Sequence, residues 1–160
     1  MAKLVLLIGA NMGNREKNLS AAVKKIGKRI GKVLRSSAYY ETAAWGNTEQ
    51  PDFLNQVLIA ETKKTASAVM QQILAIEKEL GRIRTVKNAP RLIDIDILFY
   101  DKEIHAEDEL SIPHPQIPNR RFVLVPLNEL IPNFKHPSIK KSIHKLLLQC
   151  KDKLEVKKLR

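Results

Sequence analysis

Residues 89–100 read Ala89-Pro90-Arg91-Leu92-Ile93-Asp94-Ile95-Asp96-Ile97-Leu98-Phe99-Tyr100. From position 92 onward this segment is β-branched, aromatic or apolar apart from two carboxylates, a composition that predicts a buried strand. Because side chains alternate along a strand, Asp94 and Asp96 are expected on one face, with Cα atoms roughly 6–7 Å apart. Two carboxylates on an apolar strand are costly to desolvate, and a hard divalent cation is the usual way to neutralise them. The segment therefore predicts a strand that carries a metal site.

So short a motif also has a structural interpretation, in which one aspartate caps a turn and the other pairs with an arginine. Cationic residues on both sides of the pair favour the metal site. They are Arg82, Arg84, Arg91, His114, Arg120 and Arg121. Carboxylates, magnesium and several guanidinium groups together are typical of a site for a polyphosphate.

The composition predicts one globular domain over residues 1–160. A hydrophobic share of 44% with 28% charged residues is ordinary for such a domain. The apolar run at residues 4–8 is too short for a membrane span and predicts a first strand rather than a signal peptide. The single cysteine, Cys150, excludes an internal disulfide and suits a reducing compartment. We therefore expect a cytoplasmic monomer with no membrane partner.

A net charge of +11 suggests anionic partners. The lysines, however, are spread over helix-like segments and the C-terminal end, which is typical of a solvated basic surface. We expect no nucleic-acid partner, and we interpret Arg15, Arg29 and Arg35 as surface charge.

Hydrophobic periodicity and turn residues predict the order strand, helix, strand, strand, helix, strand. The strands are expected at residues 3–9, 32–40, 52–62 and 92–100. The helices are expected from Asn14 to about Gly31 and from Thr65 to Gly81. This is the split βαβ order. We therefore predict an α+β domain with a ferredoxin-like βαββαβ core, a mainly antiparallel sheet and helices on both faces, in three α/β/α layers.

The remaining third of the chain predicts smaller elements. A hairpin is expected around residues 103–112, followed by a rigid proline-rich segment, 113–118, that holds His114 in one place. Asn119 is predicted to cap a helix over 120–130, and a further helix over 138–150 and an edge strand within 154–159 should follow. His105, His136 and His144 lack partners at metal-ligand spacing and receive no function.

Four residues could recognise a planar ring. Asn55 shares a predicted strand face with Phe53, and a buried amide must be satisfied, which a bound heterocycle could do. Phe53 and Phe122 are more often core residues than ligand platforms when nothing else is known. Trp45 lies in a polar loop, which favours a role in binding or gating.

Taken together, these motifs resemble a known family, the 6-hydroxymethyl-7,8-dihydropterin pyrophosphokinases of folate synthesis. The resemblance covers nearly the whole chain, and its most specific part is Pro90-Arg91 followed by Asp94-Ile95-Asp96. The other matching segments are Ile8-Gly9-Ala10-Asn11-Met12-Gly13, Tyr40-Glu41-Thr42 with Gly46, Gln50-Pro51-Asp52-Phe53-Leu54-Asn55, Glu77 with Leu80-Gly81-Arg82-Ile83-Arg84, Pro113-His114-Pro115, and Asn119-Arg120-Arg121-Phe122 with Pro126-Leu127.

The resemblance implies a reaction and its residues. The pterin hydroxymethyl oxygen would attack the β-phosphorus of ATP and AMP would leave, with Asp94 and Asp96 holding two Mg²⁺ ions and with Arg82 and Arg91 as further catalytic residues. The implied pterin pocket consists of Thr42, Ala43, Trp45, Phe53, Asn55 and Phe122. The implied ATP site consists of Glu77, Arg82, Arg84, Arg91, Ile97, Glu109, Leu110, Ser111, His114 and Arg120.

A different function on the same scaffold would be RNA binding or ligand sensing, because fold alone does not determine activity. Aromatic residues make up only 5% of the chain. Neither middle strand shows the aromatic pattern that such RNA binders use for base stacking. The sequence therefore favours the enzyme.

Overall fold

The computed structural model describes residues 1–43, 51–81 and 92–159. In chain order the elements are β1 (Ala2–Ala10), α1 (Arg15–Arg29), β2 (Lys32–Ser36), β3 (Tyr40–Thr42), β4 (Phe53–Thr62), α2 (Ala66–Glu79), β5 (Asp94–Tyr100), β6 (His105–Glu107), β7 (Leu110–Ile112), α3 (Arg121–Leu130), α4 (Ile143–Gln149) and β8 (Val156–Lys158). A short 3₁₀ turn at Ile117–Asn119 precedes α3. In these ranges no helix is both long and apolar enough to cross a bilayer.

The main sheet is antiparallel and has the order β5-β1-β4-β3-β8, with β2 also paired to β4. If β2 and β3 are counted as one interrupted strand, the four core strands lie in the order fourth, first, third, second. This arrangement, with a helix after the first and third core strands, is the ferredoxin-like fold, and the predicted α+β class is confirmed. The small β6–β7 hairpin forms a separate sheet.

Each face of the sheet is covered by its own pair of helices. Alternate residues of β1, such as Leu4 and Leu6, pack with α1 and α2, while Val5 and Leu7 pack with α3 and α4. We call these the α1/α2 face and the α3/α4 face. The three predicted layers are therefore present. Apolar side chains leave β1 on both faces, as expected for a strand that lies inside the sheet and is covered by helices on both sides.

Local signals explain where the two longer helices begin. Asn14 accepts a hydrogen bond from the backbone N–H of Lys17 at 3.1 Å, and Thr65 accepts one from that of Ala68 at 3.2 Å. Both are N-cap interactions of the kind that their side chains favour. The starts predicted for these helices are confirmed to within one residue.

The predicted second strand, residues 32–40, is wrong as a single strand, because it is divided into β2 and β3. Ser37 lies in the gap and its hydroxyl accepts a hydrogen bond from the backbone N–H of Val57 at 2.9 Å. The Ser37 N–H in turn donates to the Val57 carbonyl at 2.9 Å. A side-chain oxygen thus replaces a backbone carbonyl in the ladder, and the strand is interrupted.

One predicted cap and one predicted helix start in the last third are also wrong, although α3 itself lies within one residue of the predicted range 120–130. Asn119 does not cap α3, because it lies in the 3₁₀ turn and its side-chain amide donates to Gln116 at 3.3 Å; Arg120 occupies the N-cap position. The last helix, α4, begins at residue 143 rather than 138. Lys140 has a φ of +65°, which breaks a helix there, and Ser142 caps the helix that follows.

Candidate active site

The candidate site is a row of residues that crosses three strands on the α3/α4 face. Gly9 of β1 pairs with Asn55 of β4 on one side and with Asp94 of β5 on the other. Leu7, two residues earlier, pairs with Asp96. Residues that pair directly across an antiparallel ladder project to the same face, so the amide and both carboxylates share it. Two strand spacings put Asn55 and Asp94 about 10 Å apart.

Asn55 is an unsatisfied buried amide. It is 3% exposed, and its Nδ2 has no hydrogen-bond partner within the described residues. A buried N–H₂ group without an acceptor costs free energy of about 1–3 kcal/mol, which a bound acceptor would recover. The Asn55 amide can therefore donate a hydrogen bond to a polar ligand on the α3/α4 face.

The residues beside Asn55 continue the row onto β3, the next strand of the sheet. Thr42 pairs with Phe53, and Tyr40 pairs with Asn55. Phe53 and Ala43 are half-buried, so both retain surface for a ligand. The Thr42 hydroxyl donates to the backbone carbonyl of Glu155 at 3.2 Å. That side chain therefore joins β3 to the C-terminal segment, and its hydroxyl hydrogen is already used.

A buried glutamate supports the strand that carries the two aspartates. Glu77 of α2 is 1% exposed, and its carboxylate accepts a hydrogen bond from the backbone N–H of Ile95 at 2.8 Å. Ile95 lies between Asp94 and Asp96 on the outermost strand of the sheet. The glutamate thus supplies an acceptor at this outer strand, and it holds the backbone from which both aspartates project.

His114 is fixed next to the same strand. Its backbone N–H donates to the Leu98 carbonyl at 3.1 Å, and its Nδ1 accepts from the N–H of Gln116 at 3.1 Å. Burial lowers the pKa of His114, the charge of Arg120 lowers it further, and the Asp94 carboxylate opposes both. A neutral ring with an accepting Nδ1 carries its proton on Nε2 and offers that N–H as a donor.

Arg120 and Phe122 enter the site from the start of α3. The Arg120 guanidinium carbon lies 5.8 Å from the centroid of the Phe122 ring. Asp152 fixes this end of α3, because its carboxylate accepts a hydrogen bond from the backbone N–H of Arg121 at 2.9 Å. Because α3 packs on the α3/α4 face, both side chains lie on the side of the sheet that bears the aspartates.

The residues expected near adenosine fall into two groups. Ile97 and Leu110 are buried in one core cluster on the α1/α2 face, whereas Glu109 and Ser111 are exposed on the hairpin beside it. Ile97 thus points away from the face of Asp94 and Asp96. A nucleotide that contacted Asp94 and Asp96 on one face and Ile97 on the other would have to pass around the outer edge of β5.

Four expected site residues, Trp45, Arg82, Arg84 and Arg91, lie outside the described residues. Conversely, the structure reveals contacts that the sequence did not suggest. Gly9 makes room for Asn55, since a Cβ at Gly9 would lie 2.7 Å from Asn55 Oδ1. Arg15, interpreted as surface charge, contacts the ends of two strands. The partners of Arg15 are far away in sequence, so no local pattern could have revealed them.

A ferredoxin-like sheet that carries two carboxylates, an imidazole donor, a guanidinium and a buried amide on one face is suited to a transferase that acts on phosphate-bearing substrates. The chain belongs to the 7,8-dihydro-6-hydroxymethylpterin-pyrophosphokinase (HPPK) family, whose model matches residues 5–132. Membership assigns it to pyrophosphate transfer in folate synthesis, and the predicted family is confirmed.

Curated relatives support the family assignment. The 2-amino-4-hydroxy-6-hydroxymethyldihydropteridine pyrophosphokinase of Aquifex aeolicus is 38% identical over 143 residues, which are 89% of this chain and 89% of the relative. The enzyme of the same name from Methylorubrum extorquens is 37% identical over 83% of this chain and 85% of its own length. The folic acid synthesis protein fol1 of Pneumocystis carinii is 38% identical over 81% of this chain, but this chain spans only 18% of that protein.

Solved structures support the fold. The wild-type HPPK-DHPS of Plasmodium falciparum superposes with a TM-score of 0.72 at 20% identity, over 93% of this chain and 43% of that one. A triple mutant of the same protein superposes with a TM-score of 0.76 at 19% identity, over 92% of this chain and 41% of that one. This chain therefore spans less than half the length of these proteins.

Proposed function

We propose that this chain transfers pyrophosphate from ATP to the hydroxymethyl oxygen of 6-hydroxymethyl-7,8-dihydropterin, with AMP as the second product. The observation that carries the proposal is the row formed by Asn55, Gly9 and Asp94 across three strands. A buried amide that lacks a partner within the described residues suits the hydrogen-bonding edge of a pterin. The carboxylates about 10 Å away suit a metal-bound triphosphate.

The pterin would bind on the α3/α4 face beside Asn55. Its amide-like edge offers both donors and acceptors, and the Asn55 side chain can match either. Phe53 and Phe122 are the proposed stacking partners above and below the ring. Thr42, Ala43 and Trp45 complete the proposed pocket, with Thr42 contributing its backbone.

We propose that Asp94 and Asp96 would hold two Mg²⁺ ions when ATP is bound. The donor set fits this ion, because magnesium is usually held by one or two carboxylates together with substrate phosphates. Within the described residues, no group of three or more His, Cys, Asp or Glu side chains could hold a metal alone. When bound, the ions would neutralise charge on the triphosphate and on the departing AMP.

In the reaction step, the hydroxymethyl oxygen attacks the β-phosphorus and forms the new P–O bond. The bond from the β-phosphorus to the oxygen that bridges it to the α-phosphorus breaks, and its electron pair leaves on AMP, while the hydroxyl proton is released. The neutral His114 offers Nε2–H to a phosphate oxygen, and Arg120 offers its guanidinium. Arg82, Arg84 and Arg91 are proposed as further phosphate contacts.

Adenosine is proposed to lie beyond the outer edge of β5. Ile97 and Leu110 share a core cluster there, and Glu109 and Ser111 are exposed beside it. Glu77 is better suited to positioning than to direct contact, because its carboxylate is buried against the Ile95 N–H. Across the proposed site as a whole, we expect the chain to act mainly by positioning its two substrates and by neutralising the charge of the phosphates.

RNA binding is the less favourable alternative. RNA-binding modules of this scaffold stack bases on an open sheet face. Here the central strands are buried by helices on both faces, with Leu4 and Leu6 on one and Val57 and Ile59 on the other. We therefore expect neither face to receive RNA.

The proposal is tested by nucleotide analysis after mixing the protein with Mg²⁺ and ATP, with and without the pterin. AMP should form only with the pterin present, in equal amount to a pterin that has gained two phosphates. ADP as the product would indicate transfer of one phosphate and would overturn the proposal. AMP formation that is independent of the pterin would do the same.

A further inference from the structure

The first turn of α1 contacts the ends of two strands that bear pterin-pocket residues. Arg15 Nη2 lies 2.7 Å from a carboxylate oxygen of Glu41, on β3. Arg15 Nη1 donates to the backbone carbonyl of Asp52, immediately before β4, at 2.9 Å. The Arg15 guanidinium therefore joins the end of β3 to the start of β4.

A second side chain from the same segment reinforces this contact. Asn11 is 1% exposed, and its Nδ2 donates to the backbone carbonyl of Pro51 at 3.1 Å. The segment between β1 and α1 is itself fixed, since the Asn18 side chain donates to the Met12 carbonyl at 3.0 Å. Arg15 and Asn11 thus extend from a well-anchored turn.

The contacted residues are direct neighbours of the proposed pterin pocket. Glu41 precedes Thr42, and Asp52 precedes Phe53, and these two pocket residues pair with each other. Asn55 lies two residues further along β4. If the end of β3 shifted relative to the start of β4, the backbone of Thr42 would therefore move relative to the ring of Phe53.

From these contacts we propose that Arg15 is a positioning residue for the pterin pocket, an inference that rests on the proposed function. Its two terminal nitrogens bind a carboxylate on one strand and a backbone carbonyl at the start of the other, whereas a lysine has a single nitrogen with which to reach both. The ion pair is about a quarter exposed on each side, so its contribution to global stability is small. The effect should instead appear as a change in pterin affinity.

The test compares four variants in a complex that cannot react. The ATP analogue contains an α,β-methylene bridge, so the bond that the proposed reaction breaks is absent, and Mg²⁺ is in excess. Arg15→Gln removes the charge and both contacts, Arg15→Lys keeps the charge but replaces two terminal nitrogens by one, and Glu41→Gln weakens only the ion pair. Arg29→Gln is the matched control, since Arg29 lies on the same helix and pairs with Gln72 and Glu79 of α2 instead.

Arg15→Gln should raise the pterin Kd about tenfold while the Kd of the ATP analogue stays within twofold. Arg15→Lys and Glu41→Gln should give smaller increases, and Arg29→Gln should leave the pterin Kd unchanged. An unchanged pterin Kd in Arg15→Gln would overturn the inference, as would an equal loss of both ligands or an equal effect of Arg29→Gln. Wild-type protein that fails to bind the pterin would overturn the proposed function itself, which is a different outcome.

Discussion

At Gly9 the absence of a side chain is what allows the Asn55 amide to occupy its place. A Cβ at this position would lie 2.7 Å from Asn55 Oδ1, closer than real Cβ contacts allow. Gly9→Ala should therefore push the Asn55 amide out of position and raise the pterin Kd by about tenfold, the loss of one good hydrogen bond. Titration of the pterin into the complex with Mg²⁺ and the unreactive ATP analogue measures this.

Gly27→Ala is a matched control for Gly9→Ala. Gly27 lies within α1, where an added Cβ would meet nothing within 4 Å. Alanine should stabilise the helix there by about 0.5–1 kcal/mol and leave pterin affinity unchanged. If Gly9→Ala bound the pterin as tightly as Gly27→Ala does, the placement of Asn55 in the pocket would be wrong.

Asp94 and Asp96 are expected to hold the metal through their negative charge. Changing both to asparagine keeps their size but removes two charges from the site, so Mg²⁺-dependent ATP binding should fall by at least about a hundredfold. Calorimetry with and without Mg²⁺ measures this difference. Asp101→Asn, at the far end of β5, retains the oxygen that accepts from the Lys3 N–H and should bind ATP normally. Mg²⁺-dependent binding that persisted in the double variant would contradict the metal assignment.

Among the elements, α3 is joined to β3 by a partly buried hydrogen bond. The Tyr40 hydroxyl donates to a carboxylate oxygen of Glu129 at 2.6 Å, and the same carboxylate accepts from the Ala38 N–H at 3.2 Å. Burial raises the pKa of Tyr40, and the hydrogen bond to Glu129 and its charge raise it further, so the phenol stays protonated and donates. This contact fixes the helix whose first turn carries Phe122.

Tyr40→Phe should lower the free energy of unfolding by about 1.5–3 kcal/mol, because it removes a hydrogen bond to a charged group. Urea denaturation measures the change. Tyr39→Phe serves for comparison, since this neighbouring side chain packs on the opposite, α1/α2 face. Equal losses in the two variants would contradict the predicted contribution of the Tyr40–Glu129 hydrogen bond to stability.

How far the sequence predicts each element depends on whether its signal is local. Asn14 and Thr65 cap helices through N–H groups three residues away, so their positions could be predicted. The break at Ser37 depends on Val57, twenty residues on, and could not. The same distinction holds in the site. Alternation alone predicts that Asp94 and Asp96 share a face, whereas the contact of Gly9 with Asn55 depends on strand pairing.

For the whole molecule, buried His136 makes stability depend on pH. His136 is 4% exposed, its Nδ1 accepts from the N–H groups of Ser138 and Ile139 at 3.1 Å each, and its ring packs edge-on against Phe99. Burial lowers the pKa of His136 below its ordinary value of about 6.5. The unfolded chain therefore binds a proton at a higher pH than the folded chain does. This contribution is fully present above about pH 6.5 and is lost as the pH falls toward the folded pKa.

Tm should therefore fall more steeply between about pH 6.5 and pH 5 in the wild type than in a variant that cannot titrate at this position. His136→Asn is suitable, because its Oδ1 can replace Nδ1 as the acceptor. This variant should be less stable than the wild type at pH 7.5, since it loses the ring contact with Phe99, and the difference should narrow on acidification. His144→Asn, in α4, has an exposed side chain and should keep the wild-type slope. Parallel Tm curves for the wild type and His136→Asn would contradict the prediction, because the acid loss would then arise from other groups.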